Sequence, residues 1–248
     1  MRPVGRWSRD TMPIVAPRFA RWTLLPVCAK RVRSGDVLNA RCCTRGPAEA
    51  VRVRRYLRKR TVALRGEAEV KQVGHPALRA RAVAVPPGEI PSGPLESLVL
   101  RMVRSMRRED LVGLAAPQVG LRKQVLVMEL TPDGVGEFSP HLREEWGVSP
   151  FPLKVFVNPT LQVLDPEVLV LPEGCASIRG FSACVPRHRS VCISGVDVNG
   201  QPVSWVARNW AARVVQHEMD HLSGILYIDR MDTKTFTNLD WKETDTGC

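Results

Sequence analysis

The chain lacks the features by which several common protein classes are recognised. No run approaches the roughly 20 apolar residues of a membrane-spanning helix, so no membrane span is expected. The start lacks the apolar core and the cleavage site of a secretory signal. The 7 cysteines have neither the even number nor the regular spacing of a secreted disulfide framework. There are no internal repeats, and 248 residues suit one globular domain with an extension.

Acidic residues are scarce near the N-terminus, where the basic residues concentrate. Residues 1–66 hold 17 Lys or Arg against 3 Asp or Glu, which leaves 19 basic and 22 acidic residues for the rest. The net charge of +11 therefore belongs to this segment. An Arg-rich, acid-poor start is typical of a mitochondrial or plastid transit peptide. We expect 1–66 to be a cleaved mitochondrial targeting presequence and 67–248 to be the folded domain. A disordered basic tail and an RNA-binding arm are the alternatives.

The spacing of apolar residues outlines the folded domain. Steps of three and four residues predict an amphipathic helix over 95–108 and another over 209–222, with Gly224 as its stop. The Pro- and Gly-rich stretch 131–152 is predicted as a loop. Strands are predicted at 124–130, 154–157, 161–164, 168–171, 191–198 and 202–206, the last two flanking a hairpin turn at Asn199-Gly200. Because strands precede one long helix without βαβ alternation, the expected fold class is α+β.

The second predicted helix contains His217-Glu218-Met219-Asp220-His221. Residues four apart lie on one face of a helix, so His217 and His221 can share one metal ion. Glu218 between them is close enough to hold or deprotonate a water molecule. The alternative is a chance occurrence of a short motif on a polar helix face.

A catalytic metal site usually has three protein ligands, so the two histidines require a third. No histidine follows His221, and the only downstream glutamate is Glu243. Upstream, Cys175 follows Gly174, and glycine allows the tight bend that would present a thiolate to a metal. Taken alone, Cys175 would more often be a buried core thiol than a ligand.

The third motif is Gly113-Leu114-Ala115-Ala116-Pro117-Gln118, which taken alone is as readily a packing turn. In conjunction, the order Gly-Leu-Ala-Ala-x-Gln, Glu-Gly-Cys-x-Ser and Gln-His-Glu-x-x-His resembles the three signature motifs of peptide deformylases, over about residues 70–235. The Gly180-Phe181 pair and the Arg-rich start resemble the organellar branch of that family, in particular the animal mitochondrial one.

The resemblance implies an enzyme that hydrolyses the N-formyl group from the N-terminal formylmethionine of newly made organelle-encoded polypeptides and releases formate. It implies antiparallel or mixed sheets packed around a central C-terminal helix that carries the His-Glu-x-x-His motif. One divalent ion per subunit would be held by Cys175, His217 and His221. The thiolate and imidazole ligands suit Zn²⁺, while the bacterial relatives allow Fe²⁺ or Co²⁺.

The resemblance also implies roles for residues around the metal. Glu218 would accept a proton from the attacking water and return one to the departing amine. The Gln118 side chain and the Ala176 backbone N–H would stabilise the oxyanion. The Gly113 carbonyl would receive the substrate N–H. The remaining assignments are Val112, Trp210 and Val214 for the methionine pocket, and Glu173 with Arg187 for an ion pair that steadies the cysteine loop.

Two positions depart from the family pattern. Leu111 stands where the first motif usually has Gly, and Ala176 stands where the second usually has Leu. Neither position supplies a metal-ligand side chain. We expect Leu111 to narrow or stiffen the cleft and Ala176 to alter its shape, with consequences for rate and inhibitor preference.

The expected partners are N-formylmethionyl peptides emerging from organellar ribosomes, with a homodimer as one oligomeric state and no nucleic acid for the mature domain. The expected location is the mitochondrial matrix, and the plastid is the less favoured alternative. Two other functions stay open. A zinc endopeptidase with the same histidine motif predicts a third ligand downstream and no role for Cys175. A non-catalytic organellar RNA- or ribosome-binding protein predicts that 1–66 persists and that Glu218 is dispensable.

Overall fold

The computed structural model describes residues 31–32 and 68–241. The predicted presequence therefore lies outside the described residues except for 31–32, and so does Glu243. The helices are α1 (Gly93–Arg108), α2 (Pro132–Gly136), α3 (Pro140–Trp146) and α4 (Asn209–Leu222). The strands are β1 (Arg31–Val32), β2 (Gly113–Ala115), β3 (Val125–Leu130), β4 (Phe151–Cys175), β5 (Ile178–Val196), β6 (Pro202–Arg208) and β7 (Thr237–Asn238).

The strands form one antiparallel sheet in the order β2-β3-β4-β5-β6, with β1 beside β4 and β7 beside β5. The longest pairing in the sheet is the β4–β5 hairpin, in which Leu161 pairs with Ile193, and Cys175 pairs with Ile178 next to the turn. A single parallel bridge joins Val83 to Lys123 outside the named strands. The expected α+β fold class is confirmed, and Cys175 is carried to the hairpin end of β4.

Helix α4 lies against the sheet and supplies part of the main hydrophobic core. Ala212, Val215 and Leu222 are buried in a cluster with Leu126 of β3 and Ile193 of β5. Such a three- and four-residue apolar stripe is what anchors a helix to a sheet. The predicted bounds 209–222 coincide with the observed ones, and Gly224 adopts a left-handed φ of 74° just beyond the end.

Helix α1 covers the other side of β2 and β3. Its apolar face, including Leu98, Met102 and Met106, packs in a second core cluster with Leu114 and Val127. The predicted helix 95–108 is confirmed, beginning two residues earlier because the Ser92 hydroxyl accepts the Leu95 N–H. No helix among residues 31–32 and 68–241 combines the length and apolar character that crossing a bilayer requires.

The prediction of a loop over 131–152 was wrong, because this stretch contains helices α2 and α3. Each begins with a proline after a capping hydroxyl: Thr131 accepts the Gly134 N–H, and Ser139 accepts the Leu142 N–H. The separate strands predicted at 154–157, 161–164 and 168–171 form one strand, β4. The pairing of β4 with β5 shifts register beside Asp165, between two of the predicted strands, but the strand continues through this irregularity.

Candidate metal centre and catalytic cleft

Cys175, His217 and His221 bring their ligand atoms within 4.8 Å of one another. The Cys175 Sγ lies 3.3 Å from His221 Nε2, and the two imidazole rings are 4.9 Å apart at 77°. The Ser177 backbone N–H donates to the same sulfur at 3.4 Å. A thiol and two imidazoles converging in a buried place form a donor set suited to a transition-metal ion. The predicted ligands therefore fit a single metal.

His217 is oriented by a carboxylate. Its Nδ1 lies 3.0 Å from Glu173 Oε2, which leaves Nε2 for the metal. Burial alone would lower the pKa of His217, but hydrogen bonds with Cys175 and Glu173 hold it well above the usual value. The ring also stacks near Tyr227, with centroids 6.4 Å apart.

Behind the ligands lies a network of charges, the polar network, formed by the buried Glu173, Arg187, Arg213 and Asp220 and by Arg230 at its exposed edge. Arg187 donates to both oxygens of Glu173 at 2.9 Å and to Asp220 at 2.5 Å. Arg213 donates to Glu173 at 2.6 Å. Asp220 also accepts from Arg230 at 2.7 and 2.9 Å. Burial raises the pKa of Glu173, but the two guanidinium groups beside it bring that pKa well below its usual value. Glu173 is therefore a fixed anion.

Glu218 is the one carboxylate of the motif that this network does not hold. Burial raises its pKa to about 7, an effect that the His217 charge partly opposes. Its Oε2 has no hydrogen-bond partner in the described part of the chain. Gly113 lies against it: a Cβ there would sit 2.8 Å from Glu218 Cδ. A carboxylate with a pKa near neutrality and a free oxygen is suited to accept and return a proton.

The Gln118 amide has a defined orientation. Its Oε1 accepts the Ala115 backbone N–H at 2.8 Å, so its NH₂ group faces the site and lies 3.6 Å from Cys175 Sγ. Ala176 follows the cysteine at the same edge, and its carbonyl accepts from the Gln72 side chain at 2.9 Å. Gln118 and Ala176, the two residues predicted to supply oxyanion donors, thus both line the cleft.

A second part of the cleft lining, the apolar wall, consists of Phe138, Trp146, Trp210 and Val214. The Phe138 ring meets Trp210 edge-to-face at 5.3 Å and Trp146 at 6.5 Å. Residues Leu111 to Gly113 close the cleft beside β2. Leu111 does line the cleft, as expected from its departure from the family pattern.

Most predicted site residues line this one cleft. Those that do are Val112, Gly113, Gln118, Glu173, Cys175, Ala176, Trp210, Val214, His217 and Glu218. His221 and Arg187 lie behind it, in contact with Cys175 and Glu173 respectively. The sequence analysis missed Phe138, Trp146 and Arg213. Only Arg213 carried a usable signal, because it precedes His217 by four residues and so shares its helix face.

Comparison with known proteins gives one family. The model of the polypeptide deformylase family matches residues 67–237. The mitochondrial peptide deformylase of Homo sapiens is 50% identical over 176 residues, covering 71% of this chain and 72% of that protein. The chloroplastic/mitochondrial peptide deformylase 1A of Arabidopsis thaliana is 38% identical over 175 residues, covering 69% of this chain and 64% of that protein.

Solved structures agree with the sequence relatives. The Met-Ala-Ser-bound class I type b peptide deformylase of Acinetobacter baumannii has a TM-score of 0.60 at 30% identity, covering 67% of this chain and 99% of that chain. The peptide deformylase of Thermotoga maritima has a TM-score of 0.56 at 32% identity, covering 68% and 99%. Both similarities span most of the described domain.

Proposed function

Because the chain belongs to the polypeptide deformylase family, we propose that Cys175, His217 and His221 hold the metal ion with which it hydrolyses the formyl group of newly made polypeptides. The chain is an enzyme of this family, and the family is metal-dependent. The observation that carries the proposed site is the convergence of the three ligand atoms within 4.8 Å.

The donor set accepts more than one ion. A thiolate with two imidazoles suits Zn²⁺, Fe²⁺ or Co²⁺, and by the Irving–Williams order the site binds zinc more tightly than ferrous iron. When bound, such an ion acidifies water and polarises a carbonyl oxygen. We propose one divalent ion of this group per subunit.

Glu218 handles the protons of the reaction. Its carboxylate takes a proton from the attacking water as the formyl carbon becomes tetrahedral, and it then gives a proton to the departing α-amine. In the metal-free protein, burial raises the pKa of Glu218 to about 7, the direction that lets one carboxyl group both accept and return a proton near neutral pH. The products are formate and a peptide with a free N-terminal amine.

Gln118 and Ala176 stabilise the negative charge that develops on the formyl oxygen by donating hydrogen bonds to it. The Gln118 amide NH₂ is held toward the site by the Ala115 N–H, so this donor is oriented before substrate binds. The Ala176 backbone N–H supplies a second donor from the cysteine loop. Removal of one such donor slows a reaction by about a hundred- to a thousand-fold.

The substrate peptide lies along β2 with its methionine on the apolar wall. Strand β2 is at one end of the sheet order, so an extended peptide can add beside it and donate an N–H to the Gly113 carbonyl. Val112, Trp210 and Val214 then line the slot for the thioether side chain, as first expected, and Phe138 completes it.

We also propose that the enzyme acts in the mitochondrial matrix after loss of residues 1–66. The Arg-rich, acid-poor composition of that segment and the mitochondrial relative support this location. The intact mass of the protein from isolated mitochondria tests the cleavage: a mature chain that begins near Glu67 is expected, and a full-length mature chain contradicts it.

Formate release from formyl-Met-Ala-Ser, with Co²⁺ or Fe²⁺ added under anaerobic conditions, tests the proposed site. Activity is expected from the parent chain and not from Glu218→Ala or Cys175→Ser. Cys184→Ser, at a buried cysteine that does not line the cleft, is the matched control and should retain activity. Full activity of Cys175→Ser would contradict the ligand assignment. Metal binding without formate release would instead favour the endopeptidase alternative.

That alternative requires a third ligand downstream of His221. In the described residues the group that converges with the two histidines includes Cys175, on the upstream side. Glu243, the downstream glutamate, lies outside the described residues. The upstream cysteine therefore supports deformylation over peptide-bond hydrolysis at this site.

A further inference from the structure

Arg213 is a buried arginine on α4, one helical turn before His217. Only 4% of its side chain is exposed, and an arginine is rarely buried to this degree unless it is paired. Its Nη1 donates to Glu173 Oε1 at 2.6 Å, and its two terminal nitrogens also donate to backbone carbonyls. Those carbonyls belong to Leu171 at 3.2 Å, Val185 at 2.9 Å and Leu169 at 2.7 Å.

We propose that Arg213 is a positioning residue for the metal site, acting through Glu173 on His217. The inference rests on the ligand set proposed above. A carboxylate has about four acceptor positions, and Glu173 uses four. Oε1 accepts from Arg187 Nε and Arg213 Nη1, while Oε2 accepts from Arg187 Nη2 and His217 Nδ1. With all four filled, the carboxylate has no freedom to turn away from the imidazole.

Arg187 alone does not provide this restraint, because its charge is divided between two carboxylates. Its third donor, Nη1, goes to Asp220 at 2.5 Å. Asp220 is otherwise paired with Arg230, whose side chain is 45% exposed and therefore screened by solvent. Arg213 has Glu173 as its carboxylate partner in the described part of the chain. Without Arg213, the guanidinium group left beside Glu173 would be that of Arg187, which is shared with Asp220.

Arg213 also joins the two elements that supply the ligands. The carbonyls that it binds lie on β4 and β5, and Cys175 is the last residue of β4. Its own helix carries His217 and His221. Because one rigid planar group bonds both elements, it sets the distance between the thiol and the imidazoles. The same side chain thus fixes the orientation of one ligand and the spacing of all three.

The test measures Co²⁺ affinity of the full chain by chelator competition, together with the melting temperature of the metal-free protein. Arg213→Met should bind Co²⁺ about 10- to 100-fold more weakly, the usual effect of losing a residue behind a metal ligand. Arg213→Lys should show a smaller loss, because one ammonium group cannot bond the carboxylate and all three carbonyls. Arg189→Met, which removes a half-buried arginine bonded to Glu167 and Asn209, is the matched control.

A double-mutant cycle separates positioning from plain structural support. If Arg213 acts largely through Glu173, Arg213→Met should weaken Co²⁺ binding clearly less in the Glu173→Gln background than in the parent, because only its carbonyl contacts then remain to be lost. Additive losses overturn the proposed route. A lower melting temperature with parental Co²⁺ affinity makes Arg213 merely structural and overturns the inference. If Arg213→Met does not fold, the Lys variant decides by the same criterion. Failure of the parent chain to bind Co²⁺ overturns the proposed ligand set, and this inference with it.

Discussion

The two walls of the cleft are built from different interactions. The polar network behind the metal ligands places four acceptor positions of Glu173 against Arg187, Arg213 and His217, at 2.6 to 3.0 Å. The apolar wall is held by ring contacts, with Phe138 5.3 Å from Trp210. Hydrogen bonds to charged groups are directional, whereas ring packing tolerates rotation and substitution.

This difference assigns a separate task to each wall. A metal requires its ligands at defined positions, so the wall that presents His217 has one saturated arrangement. A methionine side chain is flexible and apolar, so the wall that receives it needs only shape and area. Substitutions in the polar network should therefore reduce stability and metal binding, and substitutions in the apolar wall should change substrate affinity.

The largest effect is expected from Arg187→Met, which breaks the polar network at its centre. The substitution leaves Glu173 and Asp220 buried with one fewer positive charge, and breaking a buried pair costs about 3–5 kcal/mol. Urea denaturation of the metal-free protein measures the loss. Arg189→Met, at a side chain that is 39% exposed, should cost about 1 kcal/mol or less. Equal losses of unfolding free energy in the two variants would show that the buried network stabilises the fold no more than a surface ion pair does.

Glu218 lines the same cleft but belongs to neither wall, and its titration sharpens the contrast. Its pKa in the folded protein is raised to about 7 from 4.5, mainly by burial. The neutral carboxyl therefore favours folding below pH 4.5, and this contribution is lost as pH rises toward 7. Glu218→Gln keeps a neutral side chain at every pH. Relative to the parent, metal-free Glu218→Gln should thus gain about 3 kcal/mol between pH 4 and pH 8.

Urea denaturation at pH 4, 6 and 8 measures this gain, with Glu144→Gln on the exposed face of α3 as the matched control. Most of the change should fall between pH 4.5 and 7. A stability difference between parent and Glu218→Gln that stays constant over this range would rule out the raised pKa. The sign is specific: a carboxylate paired like Glu173 would give the opposite trend, because its pKa is lowered.

The two walls also differ in how far the sequence predicts them. The ligands were predictable because His217 and His221 share a helix face by spacing alone, and because the bounds of α4 follow from its apolar stripe. Cys175 followed from its motif and from the resemblance. Its approach to the histidines depends on the whole β4–β5 hairpin, which no local pattern specifies.

The apolar wall could not be predicted from periodicity. Phe138 and Trp146 belong to a stretch whose helices have 5 and 7 residues, too short to show a helical repeat. The starts of these two helices are marked in the sequence by Thr131-Pro132 and Ser139-Pro140, a capping hydroxyl followed by proline. That signal does not show that Phe138 and Trp146 are buried at the cleft. Arg213 was missed for another reason: an arginine on an amphipathic helix usually faces solvent, and its burial depends on acceptors 28 to 44 residues away.

The smallest effect is expected on the apolar wall, from Phe138→Leu. Leucine preserves an apolar surface but loses the edge-to-face contacts with Trp146 and Trp210, and such ring pairs contribute about 0.5–1.5 kcal/mol each. The KM for formyl-Met-Ala-Ser should rise roughly two- to tenfold. Both kcat and Co²⁺ affinity should stay at parental values, because Phe138 contributes no ligand and no proton-transfer group.

Phe151→Leu is the matched control, because Phe151 is buried against Trp205 at 5.0 Å and does not line the cleft. It should lower stability without raising KM. If Phe138→Leu instead weakened Co²⁺ binding, the walls would be coupled, and the separation of tasks would fail. A rise in KM confined to Phe138→Leu would place substrate recognition in ring packing. Metal retention would then depend on the charges behind His217, so the two walls could vary independently.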